Sequence, residues 1–120
     1  EIYTLSLHDA LPISGLNGQQ FAFNGYLPID KQVCKQAIKN FERISSSNNQ
    51  TQIFIETPYR NSRCFELLIN HLSPNTLLSV ACDLSLPTEV IQTKTVKDWK
   101  TNQLDLHKRP SIFLFLHPSA

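Results

Sequence analysis

Three carboxylates and an arginine, lying in two polar turns, are the residues of this sequence best suited to chemistry. Glu56 and Arg60 follow an apolar stretch that ends at Ile55, and Asp83 and Glu89 lie in a second turn after another apolar stretch. Two carboxylates held close together can act as general acid and general base. Arg60 can equally well neutralise Glu56 in a structural ion pair. The sequence therefore leaves both roles open, and the acid/base role requires the two turns to meet.

Basic side chains form a second group, made of a stripe at every fourth residue and a cluster later in the chain. The stripe is Lys31, Lys35 and Lys39, and the cluster is Lys94, Lys97, Lys100, Lys108 and Arg109. Lysines at this helical spacing are typical of a solvated helix face. They could also contact nucleic-acid phosphates, as could the Lys108–Arg109 loop.

Other chemistries find no support in the residue pattern. The sequence has four histidines and three cysteines without metal-ligand spacing and without a Cys-x-x-Cys pair. It also contains no Gly-rich phosphate loop and no Gly-x-Ser-x-Gly elbow. We therefore predict no metal site and no disulfide framework.

Length and composition predict one soluble domain. A chain of 120 residues can form a single domain with a real core. A net charge of +1, with 41% hydrophobic and 18% charged residues, excludes a disordered charged tail and gives no global attraction to nucleic acid or membrane. The apolar runs are far shorter than the ~20 residues of a membrane-spanning helix. Free cysteines suit a reducing compartment, so we expect a cytoplasmic protein.

Strands and helices must position the two polar turns. Residues 51–55 are rich in β-branched and aromatic types and predict a strand, which Pro58 ends. Asn61 is predicted to cap a helix over 62–72. Residues 77–84 are almost continuously apolar and predict a strand covered on both faces. Because ligands of open α/β sheets bind outside the carboxyl ends of strands, the two turns are a candidate site.

The remaining elements complete an α/β pattern, with a mixed sheet flanked by helices. Gly25 indicates a bulge or a close backbone approach, Asp30 a helix N-cap, and Thr95 the cap of a small helix that contains Trp99. The other predicted elements are a strand over 20–26, a helix over 31–45, a strand over 90–93 and a strand over 111–116.

Five short blocks, taken in order and with their spacing, carry a family resemblance. They are Ser14-Gly15-Leu16, Phe23-Asn24-Gly25-Tyr26-Leu27-Pro28, Ile53-Phe54-Ile55-Glu56-Thr57-Pro58-Tyr59-Arg60, Ala81-Cys82-Asp83-Leu84 with Glu89, and Lys108-Arg109-Pro110. From Ser14 to about Leu116 the chain resembles the C-terminal domain of the tetrapyrrole-methylase superfamily. Within it, the bacterial ribosomal RNA cytidine 2′-O-methyltransferases are the most similar branch.

The resemblance implies a two-domain enzyme that binds S-adenosyl-L-methionine in the cleft between its domains. It places substrate contacts at Tyr59, Arg60 and Glu89. The implied cofactor contacts are Phe54, Ile55, Glu56, Thr57, Ala81, Cys82 and Asp83. The ribosomal RNA enzymes often carry Ser and His where this sequence has Thr57 and Tyr59, so the methyl acceptor stays open.

The domain organisation implied by the resemblance is that of a fragment. Residues 1–13 look like the translation of a common short-read sequencing adapter and are excluded from fold reasoning. Residues 14–120 correspond to the C-terminal domain, and the N-terminal domain is absent. We expect the fragment alone to be inactive. The implied partners of the intact parent are the missing domain, RNA and a second copy in a homodimer.

Two alternatives remain at the level of sequence. One is a non-catalytic interaction module that binds nucleic acid through the lysine stripe and the Lys108–Arg109 loop. The other is a methyltransferase that acts on a tetrapyrrole intermediate rather than on RNA.

Overall fold

A computed structural model describes residues 20–83, 86–102, 104–106 and 108–118 of the chain. The elements are β1 (Phe21–Phe23), α1 (Lys31–Asn48), β2 (Thr51–Glu56), α2 (Asn61–His71), β3 (Leu77–Cys82), β4 (Val90–Thr95), α3 (Val96–Thr101) and β5 (Ser111–Leu116). They confirm the predicted α/β class. Predictions for residues 1–19 and for Leu84 lie outside the described residues.

One mixed sheet contains all five described strands, in the order β1-β2-β5-β3-β4. β1 and β2 are parallel, whereas β5 is antiparallel to both β2 and β3, and β4 is antiparallel to β3. The last described strand along the chain is therefore inserted at the centre of the sheet. β2, β3 and β5 are almost entirely buried, which agrees with their apolar sequences.

The helices pack on one face of the sheet and form the main core with it. Alternate residues of a strand point to opposite faces, and Phe54, Val80 and Phe113 point toward the helices. Phe54 lies with its ring centroid 5.1 Å from that of Phe41 and 5.7 Å from that of Phe115. Trp99 of α3 is fully buried and donates its indole N–H to the Leu78 carbonyl at 2.7 Å.

The opposite face of the sheet is apolar and buried as well. Its buried side chains are Ile53, Ile55, Ala81, Ile112 and Leu114. This arrangement confirms the prediction that the apolar run beginning at Leu77 is a strand covered on both faces. The strand ends at Cys82 rather than at Leu84, because Asp83 adopts a left-handed backbone with φ of 54°.

Local capping signals set the starts of α1 and α3, whereas the ends of several elements differ from the prediction. The Asp30 carboxylate accepts hydrogen bonds from the N–H groups of Gln32 and Val33, and Thr95 Oγ1 accepts one from Asp98, as predicted. α1 continues beyond the predicted end at Ser45 to Asn48, where Asn49 turns left-handed. The buried Ser45 keeps this turn against the sheet.

The ends of two strands also differ from the prediction. β1 stops at Phe23, three residues before the expected end, and β4 continues to Thr95, two residues beyond it. Gly25 has φ of +72°, and a Cβ added there would meet no atom within 4 Å. Glycine is therefore needed here for the left-handed turn rather than to make room for a neighbouring atom, and the Gly25 carbonyl still accepts the Ile55 N–H of β2 at 2.9 Å.

The three cysteines are buried free thiols, and their environment predicts low reactivity. Cys34, Cys64 and Cys82 are at most 4% exposed. Burial raises the pKa of each thiol, so little of the reactive thiolate forms near neutral pH. We expect Ellman's reagent to label the folded chain slowly and to label three thiols once urea unfolds it. Rapid labelling without denaturant would contradict this packing.

Within the described residues, no helix has the length and apolar character needed to cross a membrane.

Candidate functional site

Segments from three neighbouring strands meet at one end of the sheet, where β2 and β3 end and β5 begins. Glu56 at the end of β2 and Cys82 at the end of β3 both pair with Ser111, the first residue of β5. Two strand spacings then separate Glu56 from Cys82, a distance of about 10 Å between backbones. The two polar turns of the sequence therefore lie at the same end of the strands. We call this end of the sheet the upper edge, and it also contains the loop that leads into β5.

Asp83 and Arg109 form the shorter of the two ion pairs at the upper edge. Arg109 Nε donates to Asp83 Oδ2 at 2.8 Å, and the Thr88 hydroxyl donates to the same oxygen at 3.0 Å. The guanidinium also donates to the carbonyls of Thr88 and Asp105. The hydrogen bond to Asp83 raises the pKa of Arg109. Arg109 is thus engaged within the fold, and the phosphate contact considered for it from sequence is not supported.

Glu56 and Arg60 form a second ion pair, four residues apart across the turn that follows β2. Arg60 Nε lies 3.4 Å from Glu56 Oε1, and that oxygen accepts the Thr57 N–H at 2.8 Å. The Glu56 side chain is 8% exposed and that of Arg60 38%. The structural ion pair considered in the sequence is confirmed, and it holds the carboxylate against the start of the turn.

The predicted carboxylate constellation is therefore not an acid/base pair. Glu56 and Asp83 lie on either side of β5, and each is bound to its own guanidinium. Glu89 is exposed in the second turn, and its N–H donates to the Leu86 carbonyl at 3.0 Å. A proton-transfer pair needs two groups within reach of one substrate atom. The sequence suggested this role because it could not show which cation each carboxylate would meet.

Asn61 is a residue of the upper edge that sequence reasoning assigned wrongly. It was predicted to cap α2, but it is the first residue of that helix, and the N-cap residue Arg60 makes no side-chain capping bond. The buried Asn61 amide instead donates to the Arg109 carbonyl, with Ser111 Oγ 3.4 Å away. Its Oδ1 is buried and accepts no hydrogen bond from the described residues. Asn61 thus fastens the start of α2 to the loop before β5.

A backbone contact joins the two loops of the upper edge directly. The Lys108 N–H donates to the Pro58 carbonyl at 3.1 Å, and the Asp83 N–H donates to the Pro110 carbonyl at 3.0 Å. Asp83 and Lys108 both have positive φ although neither is glycine. Such conformations cost free energy and are frequent at functional sites. Backbone hydrogen bonds therefore link the described parts of these loops to one another.

The site residues implied by the resemblance differ in what they can offer a ligand. The side chains of Phe54, Ala81 and Cys82 are fully buried, and Ile55 is 7% exposed on the second face. These four can contact a ligand only through their backbone. Polar side chains at the edge are those of Glu56, Thr57 and Asp83, and Tyr59 is 79% exposed. Within the part of the chain that the structure describes, no three His, Cys, Asp or Glu side chains group to hold a metal ion.

Comparison with known proteins finds solved structures with a similar fold. No protein-family model matches the chain, and no curated protein matches it. Among solved structures, it is similar to the methyltransferase CobJ, with a TM-score of 0.61 and 16% identity over 95% of this chain and 47% of that one. It is also similar to the cobalt precorrin-4 methyltransferase CbiF, with a TM-score of 0.52 and 17% identity over 92% of this chain and 48% of that one. The chain spans about half the length of these structures and has the fold of that half.

Proposed function

We propose that this chain is the C-terminal half, residues 14–120, of a two-domain S-adenosyl-L-methionine-dependent methyltransferase, and that its upper edge forms one wall of the cofactor cleft. The observation that carries the proposal is the fold, which matches about half of CobJ and half of CbiF. The position of the polar cluster supports it too, because it lies at the carboxyl ends of β2 and β3, where α/β sheets bind ligands.

The acceptors of the upper edge suit the hydrogen-bond donors of this cofactor. S-adenosyl-L-methionine carries an amino acid ammonium, ribose hydroxyls and an adenine amine, and it supplies an electrophilic methyl group when bound. Glu56 and Asp83 supply carboxylate oxygens at the ends of β2 and β3, which a cofactor would share with Arg60 and Arg109. Exposed Tyr59 and half-buried Arg60, together with Glu89, would face the methyl acceptor. Orientation and exclusion of water are the tasks of these residues.

Ion-paired carboxylates are compatible with this chemistry. Methyl transfer from a sulfonium releases a neutral thioether, so the leaving group needs no proton. A site that holds Glu56 and Asp83 in fixed ion pairs can therefore position the reactants without a general acid.

Two methyl acceptors are consistent with the proposal. The sequence resemblance favours RNA, and the names of CobJ and CbiF as a methyltransferase and a cobalt precorrin-4 methyltransferase favour a tetrapyrrole. Both acceptors can be offered to the chain joined to its complementary half, in separate assays with labelled cofactor. Transfer to one of them identifies the class.

The cofactor wall can be tested on the chain itself by NMR titration with S-adenosylhomocysteine. Half a cleft buries much less of the ligand than a closed site does, so we expect a dissociation constant of about 1 mM or weaker. Amide shifts should be confined to Glu56, Thr57, Asp83 and Ser111.

A matched pair of variants sharpens this titration. Asp83→Asn keeps the size of the side chain but removes its charge, and it should weaken the shifts. Glu66→Gln on the outer side of α2 removes a charge away from the edge and should leave them unchanged. Micromolar affinity or turnover by the chain alone would contradict the half-site proposal, as would shifts elsewhere or none at the upper edge.

A further inference from the structure

The outer side of the helix layer carries a basic groove between α1 and α2. Arg63 Nη2 donates to the Ile29 carbonyl at 2.9 Å and so ties the amino ends of the two helices together. The groove beside this contact has a volume of about 250 Å³. Its lining residues are Lys31, Arg63, Glu66, Leu67, Asn70 and His71.

The lysine stripe borders this groove instead of facing away from the fold. Burial lowers the pKa of His71, and the positive charges of Lys35, Lys39 and Lys31 lower it further. Lys31 lines the groove, and Lys35 and Lys39 follow it about one and two turns later on the same face of α1. Sequence reasoning could locate the stripe on one helix, but only the packing of α1 against α2 adds Arg63 and His71 to it.

The charges are arranged for an extended polyanion. Successive lysines of the stripe are separated by about 6 Å of helix rise, so they form a row instead of a single cluster. Glu66 opposes them, but Lys31, Lys35, Lys39 and Arg63 outnumber it along the groove. A phosphodiester backbone presents regularly spaced single charges, which such a row can neutralise one by one.

Two further side chains distinguish among polyanions. Asn70 and His71 both line the groove, and burial lowers the pKa of His71, which favours its neutral form. Both can accept a hydrogen bond from a ribose 2′-hydroxyl, the group that separates RNA from DNA. A polyglutamate or polyaspartate peptide offers carboxylates without a hydroxyl group at each repeat.

We propose that the groove between α1 and α2 binds the backbone of single-stranded RNA. The end of the groove at Lys31 and Arg63 lies at the amino ends of both helices, and these face the same end of the strands as the upper edge. The binding itself does not depend on methyl transfer or on any cofactor.

The test is fluorescence anisotropy with a short labelled single-stranded RNA at several salt concentrations, without cofactor. Lys35→Ala/Lys39→Ala removes two phosphate contacts, each adding about 0.7 to the salt slope for single strands. We therefore expect the slope to fall by about 1.4 and the affinity to fall about 25-fold near 0.1 M salt. Alanine has a high helix propensity, so α1 should remain intact.

Matched variants separate the groove from general charge effects. Lys97→Ala/Lys100→Ala removes the same charge from exposed positions of α3 and should change the affinity little. Lys35→Arg/Lys39→Arg retains the charge and should retain binding. His71→Ala should bring the affinities for RNA and for DNA of the same sequence closer together, with the salt slope unchanged.

Three outcomes would overturn the proposal. These are equal loss in the α3 variant, equally tight binding of a polyglutamate peptide, and no salt-dependent RNA binding. None of them bears on the cofactor titration, which reports the upper edge independently.

Discussion

Replacing Phe54 with alanine is expected to lower the free energy of unfolding by about 3–5 kcal/mol. The ring is fully buried in the centre of the sheet and contacts Phe41 and Phe115. Its removal leaves a cavity that these neighbours cannot easily fill. Urea denaturation followed by the fluorescence of Trp99, the single tryptophan of the chain, measures the loss. A domain of ordinary stability would retain only part of its folding free energy.

Two variants calibrate this loss. Phe54→Leu keeps most of the apolar volume and should cost less than the alanine change. Tyr59→Ala, at a side chain that is 79% exposed, should change stability by less than about 0.5 kcal/mol. A small effect of Phe54→Ala would mean that the ring is not a core residue, and a direct cofactor contact by its side chain would then become plausible again.

Replacing Arg109 with methionine should destabilise the chain by about 2–3 kcal/mol. The change leaves the Asp83 carboxylate, only 9% exposed, without its guanidinium partner. It also removes the hydrogen bonds that hold the loop before β5 to Thr88 and Asp105. The same urea titration measures this loss, and the amide spectrum of the upper edge should change with it.

The second ion pair of the upper edge provides the control. Arg60→Met removes a guanidinium that is more exposed and farther from its carboxylate, so it should cost about 1 kcal/mol or less. The double change Arg109→Met/Asp83→Asn should cost less than the sum of its single changes, because it leaves no buried charge unpaired. Equal losses for Arg60 and Arg109 would show that Asp83 is better solvated than its position indicates.

Local sequence was sufficient for the features that a few neighbouring residues determine. The Asp30 cap, the strand over 51–55 and the pair of Glu56 with Arg60 all involve residues at most a few positions apart. The cap and the strand were expected from residue type and spacing alone, and the ion pair was one of the two roles that the sequence left open for Glu56. The α/β class followed from the alternation of these local signals.

Contacts between distant parts of the chain could not be predicted from local sequence. Asp83 and Arg109 are 26 residues apart, and Asn61 and the Arg109 carbonyl are 48 apart. Nothing in the residue pattern indicates that β5 lies between β2 and β3. For the same reason Asn61 was taken for a helix cap, since its buried partner arrives from another loop. The candidate site could thus be located by strand ends, but its internal pairing could not.

The central position of β5 has a consequence for how the chain folds. β2 and β3 do not pair with each other, and the sheet is joined only when β5 enters between them. The closing contacts with β2 link residues that are far apart in sequence, which raises contact order and slows folding. During synthesis, β2 and β3 cannot be joined into one sheet until the Ser111–Leu116 segment has left the ribosome. Until then they expose apolar strand edges, and this interval is when the nascent chain is most prone to aggregation.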